Sequence, residues 1–234
     1  MATAFKTIRR KAEQRKGGQA ALARLLPKPL APAKLRAIAD DRWLAGMTRA
    51  IFNAGFNWKV VDAMWPGFEA AFEGFDPPRW RMMSDADLDR LVGDRQIVRH
   101  GAKIRAVQRN AAMVVDLAKA HRSAGAFFAG WPSTDFVGLL DYLNTHGDRL
   151  GGRTAQYFLR AMGVDGFVLS RDGVTALIEA GVIDKPPGGK RDMALIQAAY
   201  NRWSEESGLP LTHISRILAM STGTIVTVPL PGAR

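Results

Sequence analysis

The chain has no cysteine among its 234 residues, so disulfides and thiolate metal sites are excluded. Its four histidines, His100, His121, His146 and His213, are scattered without metal-ligand spacing. The expectation is therefore no metal and no cofactor. No apolar run approaches the roughly 18 residues that a membrane span needs. The N-terminal stretch MATAFKTIRRKAEQRKGGQ is basic but has no apolar core, so it does not read as a secretory signal. These absences predict a cytoplasmic protein with no membrane partner. Acidic residues are few beside basic ones, 22 against 33, which leaves a formal net charge of +11. That excess suits a polyanionic partner, and nucleic acid is the usual one. The alternative is a protein that is merely basic.

What is present is apolar enough to fold. The hydrophobic fraction is 47%, on a chain long enough for one large core or two small lobes. Residues 1–39 read as a basic N-terminal arm. It carries Lys6, Arg9, Arg10, Lys11, Arg15 and Lys16, and then LLPKPLAPAK, where prolines break any helix. Ala20–Leu26 forms at most a short amphipathic helix. The arm is either solvated or a phosphate contact. Residues 40–221 follow a helical period almost throughout. DDRWLAGMTRAIFNAGF opens on acidic residues and places Trp43, Met47 and Ile51 four apart. Ser84 followed by Asp87 has the spacing of a capping box. Residues 222–234 read as a non-helical tail, and convincing period-two alternation is found nowhere before it. The predicted fold class is all-α, a helical bundle with short loops.

Two stretches raise the question of chemistry. In LGGRTAQYFLRAMG (150–163), Gly151 and Gly152 precede a helix that starts with Arg153 and Thr154. Such a turn lets backbone N–H groups point outward at a helix start, which suits a phosphate oxygen. It is equally the form of an ordinary helix–helix turn. In IVRHGAKIRAVQRNA (97–111), Arg99, His100, Lys103, Arg105 and Arg109 are interleaved with Ile104, Val107 and Ala111 at helical spacing. This is either a nucleic-acid surface or a core helix with a solvated back.

The order of four motifs goes further. NAGFNWKVV (53–61), FDP (75–77), SDADLDRLV (84–92) and IVRHGAKIRAVQRNA resemble, in this order and at similar spacing, the DNA-3-methyladenine glycosylase I family. There the signatures read roughly Ala-Gly-Leu-Ser-Trp, Phe-Asp-Pro and Ile-Ile-Arg-His-x-x-Lys-Ile. The resemblance covers about residues 43–131 and extends to the glycine turn. That turn is similar to the hairpin of a helix-hairpin-helix element with compressed glycine spacing.

The resemblance implies a helix-hairpin-helix DNA glycosylase fold and base excision repair. The implied partner is double-stranded DNA containing damaged bases, bound by a monomer that turns the damaged nucleotide out of the stack. Trp58 matches the family's pocket tryptophan, with a core aromatic as the alternative. Asn53 and Asn57 flank the same turn as base-edge readers or helix caps. Phe56 aligns with the residue beside the DNA plug. Arg99 and His100, at the start of a scaffold helix, and Gly151, Gly152, Arg153 and Thr154 are the implied DNA contacts.

The resemblance also marks departures. The family's pocket glutamate aligns with Ala50. Its zinc staple, built on cysteines, has no counterpart. Ser170 occupies the place of the superfamily's aspartate. Asp172, two residues on, is then either a helix cap or a catalytic carboxylate that steadies charge on the sugar. Arg153 stands where bifunctional members carry a Schiff-base lysine. A guanidinium stays protonated and cannot be that nucleophile, so a monofunctional enzyme without lyase activity is expected. A carboxylate facing Trp58, from Asp62, Asp172 or elsewhere, would supply what Ala50 lacks. The second reading is a non-enzymatic protein of the same fold that binds DNA lesions or unusual DNA structures.

Overall fold

The computed structural model describes residues 3–223, so the tail expected at 222–234 lies almost wholly outside the described residues. Among these, all regular structure is helical. Two helices come first, α1 (Phe5–Lys16) and α2 (Gln19–Arg24). A middle run follows: α3 (Pro32–Arg36), α4 (Asp40–Asn53), α5 (Trp58–Ala63), α6 (Trp65–Ala71), α7 (Pro77–Trp80), α8 (Asp85–Gly93), α9 (Gly101–His121), α10 (Ala124–Gly130), α11 (Phe136–His146) and α12 (Gly152–Ala161). The last three are α13 (Arg171–Glu179), α14 (Lys190–Ser207) and α15 (Leu211–Ser221).

The described chain divides into two compact units. One combines residues 3–29 with 165–223, and the other is residues 30–164. The boundary expected at residue 39 is not where this division falls. The reason is the apolar face of α1. Phe5, Ile8 and Ala12 are buried, and α1 packs on α15. Trp203 of α14 donates its indole N–H to the Thr3 carbonyl at 3.1 Å. The first part of the expected arm is therefore a helix fixed to the C-terminal helices, with Lys6, Arg10 and Lys11 on its exposed side, whereas α3 belongs to the other unit and packs on α10. In the unit of α1, the side chains at the start of α15 satisfy an extended segment. The Thr212 hydroxyl accepts from the Gly166 N–H at 3.2 Å, and the Ser215 hydroxyl accepts from the Val168 N–H at 3.0 Å.

The unit of residues 30–164 is organised by α4. Asp40 and Asp41 open it, where carboxylates oppose the positive end of the helix dipole. Trp43, Leu44, Met47, Ile51 and Phe52 are buried along one stripe. Trp43 stacks on Phe128 of α10 with centroids 4.3 Å apart and meets Phe158 of α12 edge-on. Phe52 begins a second aromatic cluster through Phe68, Phe72 and Trp80.

The Ser84 capping box is formed, and Asp87 also takes the Arg79 guanidinium. Arg79, and then the Ser84 N–H and hydroxyl, hold the Asp87 carboxyl well below the usual carboxylate range. Its folded value is depressed, so this stabilisation is present above the ordinary carboxylate value and is lost as pH falls through the lowered one. Asp87→Asn should therefore reduce the stability lost between about pH 5 and about pH 2. Denaturant unfolding across that range is the check; an unchanged pH dependence would contradict it.

Candidate functional site

The stripe of α4 that turns away from the aromatic core lines a cavity of about 1090 Å³. Arg42, Ala45, Gly46, Arg49, Ala50 and Asn53 recur every three or four residues along it. Thr154 and Tyr157 of α12 stand opposite, and Trp58, Asp62, Trp65 and Glu69 complete the wall from α5 and α6. The volume is slightly above that of most small-molecule sites, which run roughly 300–1,000 Å³. The wall mixes aromatic faces with a small number of fixed polar groups.

Those polar groups are mostly paired. Arg42 makes a two-pronged contact with Glu69 at 2.8 and 3.1 Å and reaches the Gly74 carbonyl at 2.7 Å. The bond to Glu69 raises the Arg42 pKa further above its ordinary value. Glu69 also accepts from the Trp65 indole N–H at 2.9 Å. Arg49 donates to Asp62 through Nε at 3.1 Å, and its guanidinium lies 5.1 Å from the Trp65 ring centre. Asn53 is different: its side-chain Oδ1 is buried and has no hydrogen-bond partner. A buried polar atom without a partner costs stability.

After Asn53 the chain turns sharply. Gly55 has φ +75°, a left-handed conformation that an L side chain adopts only with strain. Phe56 follows, 47% exposed. Asn57 caps α5 by accepting from the Lys59 N–H at 3.0 Å. Trp58 is the first residue of α5 and is 58% exposed, so it is not a core aromatic.

Helix α9 holds this turn from beneath. Lys103 is buried and donates to the carbonyls of Phe52 at 3.2 Å and Ala54 at 2.7 Å. These are carbonyls that a helix leaves without partners at its C-terminal end. Burial, and then the nearby Arg149 charge, push the Lys103 ammonium below its ordinary value. Two turns further on, Asn110 pairs with the Asp148 backbone in both directions, at 2.8 and 3.1 Å. This fixes the glycine turn. There Gly151 caps α12 without a side-chain hydrogen bond, and Gly152 has φ +54°. The first N–H groups of α12 thus follow a bare backbone, with exposed Arg153 beside them. At the start of α9, Arg99 and His100 are exposed, and His100 caps the helix through Nδ1.

Of the residues singled out from sequence, the structure brings Asn53, Trp58, Arg153 and Thr154 to one cavity. Phe56 and Asn57 share its turn. Gly151 and Gly152 precede its α12 wall. Asp172 belongs to the other unit, exposed in the first turn of α13. It is not the cap of that helix: Ser170 is, accepting from the Gly173 N–H at 3.1 Å. Sequence reading missed Arg42, Arg49, Trp65, Glu69 and Tyr157. The signal for Trp65 and Glu69 was there, since they lie one helical turn apart, as do Trp58 and the expected candidate Asp62, which also lines the cavity. Among the described residues no group of three or more His, Cys, Asp or Glu side chains is placed to hold a metal ion.

Residues 37–137 match the family profile of methyladenine glycosylase. Over this stretch the chain is methyladenine glycosylase-like. The chain is 33% identical over 85 residues to DNA-3-methyladenine glycosylase 1 of Escherichia coli K12. That alignment covers 36% of the chain and 41% of the relative, so the match spans about two fifths of the curated protein. The solved 3-methyladenine DNA glycosylase I from Staphylococcus aureus superposes with a TM-score of 0.50 at 23% identity, over 59% of this chain and 80% of that one. The Methanocaldococcus jannaschii 8-oxoguanine glycosylase/lyase, solved with a 15mer DNA containing 8-oxoguanine, gives a TM-score of 0.51 at 15% identity, over 94% of this chain and all of that one. The fold is therefore that of the helical DNA glycosylases. The glycosylase-like stretch includes the α4, α5 and α6 walls of the cavity, and α12 lies beyond it.

Proposed function

We propose that the protein is a DNA repair glycosylase that excises alkylated purines of the 3-methyladenine type from duplex DNA. The observation that carries this reading is the cavity itself. An exposed tryptophan and an asparagine whose side-chain oxygen has no partner line it, within the stretch that matches the glycosylase family. A base turned out of the duplex stacks on Trp58, and Asn53 hydrogen-bonds to its edge. An N-alkylated purine is cationic while joined to its sugar, so the ring face of Trp58 favours it over an undamaged base. The C1′–N bond breaks, its electron pair neutralises the departing base, and water adds to the sugar with release of a proton. Such a base leaves readily, so the cavity needs little acid catalysis. With Arg153 in place of an amine nucleophile, the product is an intact strand with an abasic site.

Phe56 enters the gap left in the stack, while Arg99, His100 and the start of α12 from Gly151 to Thr154 contact phosphates. Asp172, as a carboxylate steadying charge on the sugar, is tested separately by Asp172→Asn. The deciding experiment is incubation with methylated duplex DNA, followed by chromatography of released bases and alkali-dependent strand cleavage. Release of 3-methyladenine with cleavage only after alkali is expected. Lesion-dependent binding without release at enzyme excess would instead favour the non-enzymatic reading, which Ala50 and Ser170 motivate.

A further inference from the structure

The cavity contains two arginine–carboxylate pairs, and they are not equivalent. Glu69 is spent. Its Oε1 accepts from Arg42 and from the Trp65 indole, and its Oε2 accepts from Arg42. Asp62 receives both of its bonds, from Nε and Nη2 of Arg49, on the single oxygen Oδ1. No hydrogen bond falls on its Oδ2. Asp62 stands four residues after Trp58 on α5, so the two leave the same side of the helix, and both line the cavity. Beside Arg49 on α4, Ala50 contributes only a methyl group to the wall. That position brings no competing acceptor to the wall.

We propose that Asp62 is the residue that sets base specificity in this cavity, with Oδ2 accepting from the exocyclic amine of an alkylated adenine. Arg49 is the positioning residue. It fixes one oxygen and, lying against Trp65, keeps the carboxylate turned toward the base stacked on Trp58. A carboxylate accepts only, so it matches the amine of adenine and repels the carbonyl that guanine carries at the same place. An asparagine at this position has both a donor and an acceptor, and that discrimination disappears. The inference rests on the reading of the cavity as a damaged-base pocket.

The test uses one DNA preparation treated with dimethyl sulfate, from which released 3-methyladenine and 3-methylguanine are measured together. Hydrogen bonds to charged groups are worth about 1.5–3 kcal/mol, so Asp62→Asn should lower the 3-methyladenine to 3-methylguanine ratio about 10-fold or more. A ratio equal to that of the wild type would overturn the proposal. The double variant Ala50→Glu with Asp62→Asn returns a carboxylate from the neighbouring position and should restore the ratio. A folded double variant that does not restore it counts against the proposal, and so does a general loss of both bases in step with thermal unfolding. Free 3-methyladenine supplies an arm independent of turnover. Its quenching of tryptophan fluorescence should be seen with the wild type and weakened in Asp62→Asn. If the wild type neither releases nor binds 3-methyladenine, the pocket reading itself has failed, and the inference falls with it.

Discussion

Trp58→Ala should lower kcat/KM for release of an alkylated purine by roughly 10- to 4000-fold while leaving the unfolding midpoint almost unchanged. The two halves of this expectation have separate causes. Trp58 is 58% exposed, so its removal takes little apolar area out of the core. It is the first residue of α5, a position where alanine continues the helix that Asn57 caps. The structural cost is therefore small. The functional cost is the loss of a stacking face under a cationic base, for which stacking gives about 1–3 kcal/mol and the cation on the ring about 0.5–2 kcal/mol more. At about 1.4 kcal/mol for each tenfold, their sum is the stated range. Lys59 now holds its ammonium 5.9 Å from the centre of the same ring, so the face already attracts a cation. Trp58→Phe keeps a smaller face and should retain much of the activity. Single-turnover excision beside thermal unfolding is the measurement. An alanine variant as active as the wild type would remove Trp58 from the mechanism, and one that unfolds would return it to the core.

How much of this was legible in the sequence differs by residue. The helical period of α4 was plain, and Trp43, Met47 and Ile51 are buried as their spacing required. Trp58 could not be assigned from spacing, because an exposed tryptophan and a core tryptophan have the same local pattern. Only tertiary exposure separates them. The cavity's polar wall was hidden for another reason. Arg42 and Glu69 lie 27 residues apart, as Arg49 and Asp62 lie 13 apart, and their pairing depends on the angle between α4 and the helices after it. The basic arm misled because in α1 the charged residues outnumber the apolar ones. Phe5, Ile8 and Ala12 are few, yet at that spacing they fall on one face and bind the helix to α15. The stretch IVRHGAKIRAVQRNA gave up its buried side correctly, with Ile104, Val107 and Ala111 inside. Lys103 and Asn110 are also inside, and the sequence offered no sign of that. A lysine and an asparagine are buried only when partners wait for them, and these partners are backbone groups of distant turns.

Lys103→Met is the sharpest test of that arrangement. The methionine fills most of the same space but donates nothing, so the Phe52 and Ala54 carbonyls lose their shared partner. Leaving a buried carbonyl unsatisfied costs about 1–3 kcal/mol, and the loss should show as a lowered denaturant midpoint with an unchanged slope. The turn that carries Phe56 and leads to Trp58 is released at the same time, so excision should fall by more than the fraction unfolded explains. The pH dependence fixes the cause. Burial places the folded-state value of Lys103 below its ordinary 10.5, so the charged form is disfavoured in the folded protein. In the window between the lowered value and 10.5 the unfolded chain holds the proton that the folded one has given up, and stability rises with pH there. The methionine variant lacks this rise, so the stability gap between the two proteins should widen as pH climbs through that window. A gap that stays constant or narrows would mean that Lys103 is not held as a desolvated ammonium, and that some other contact of α9 fixes the turn.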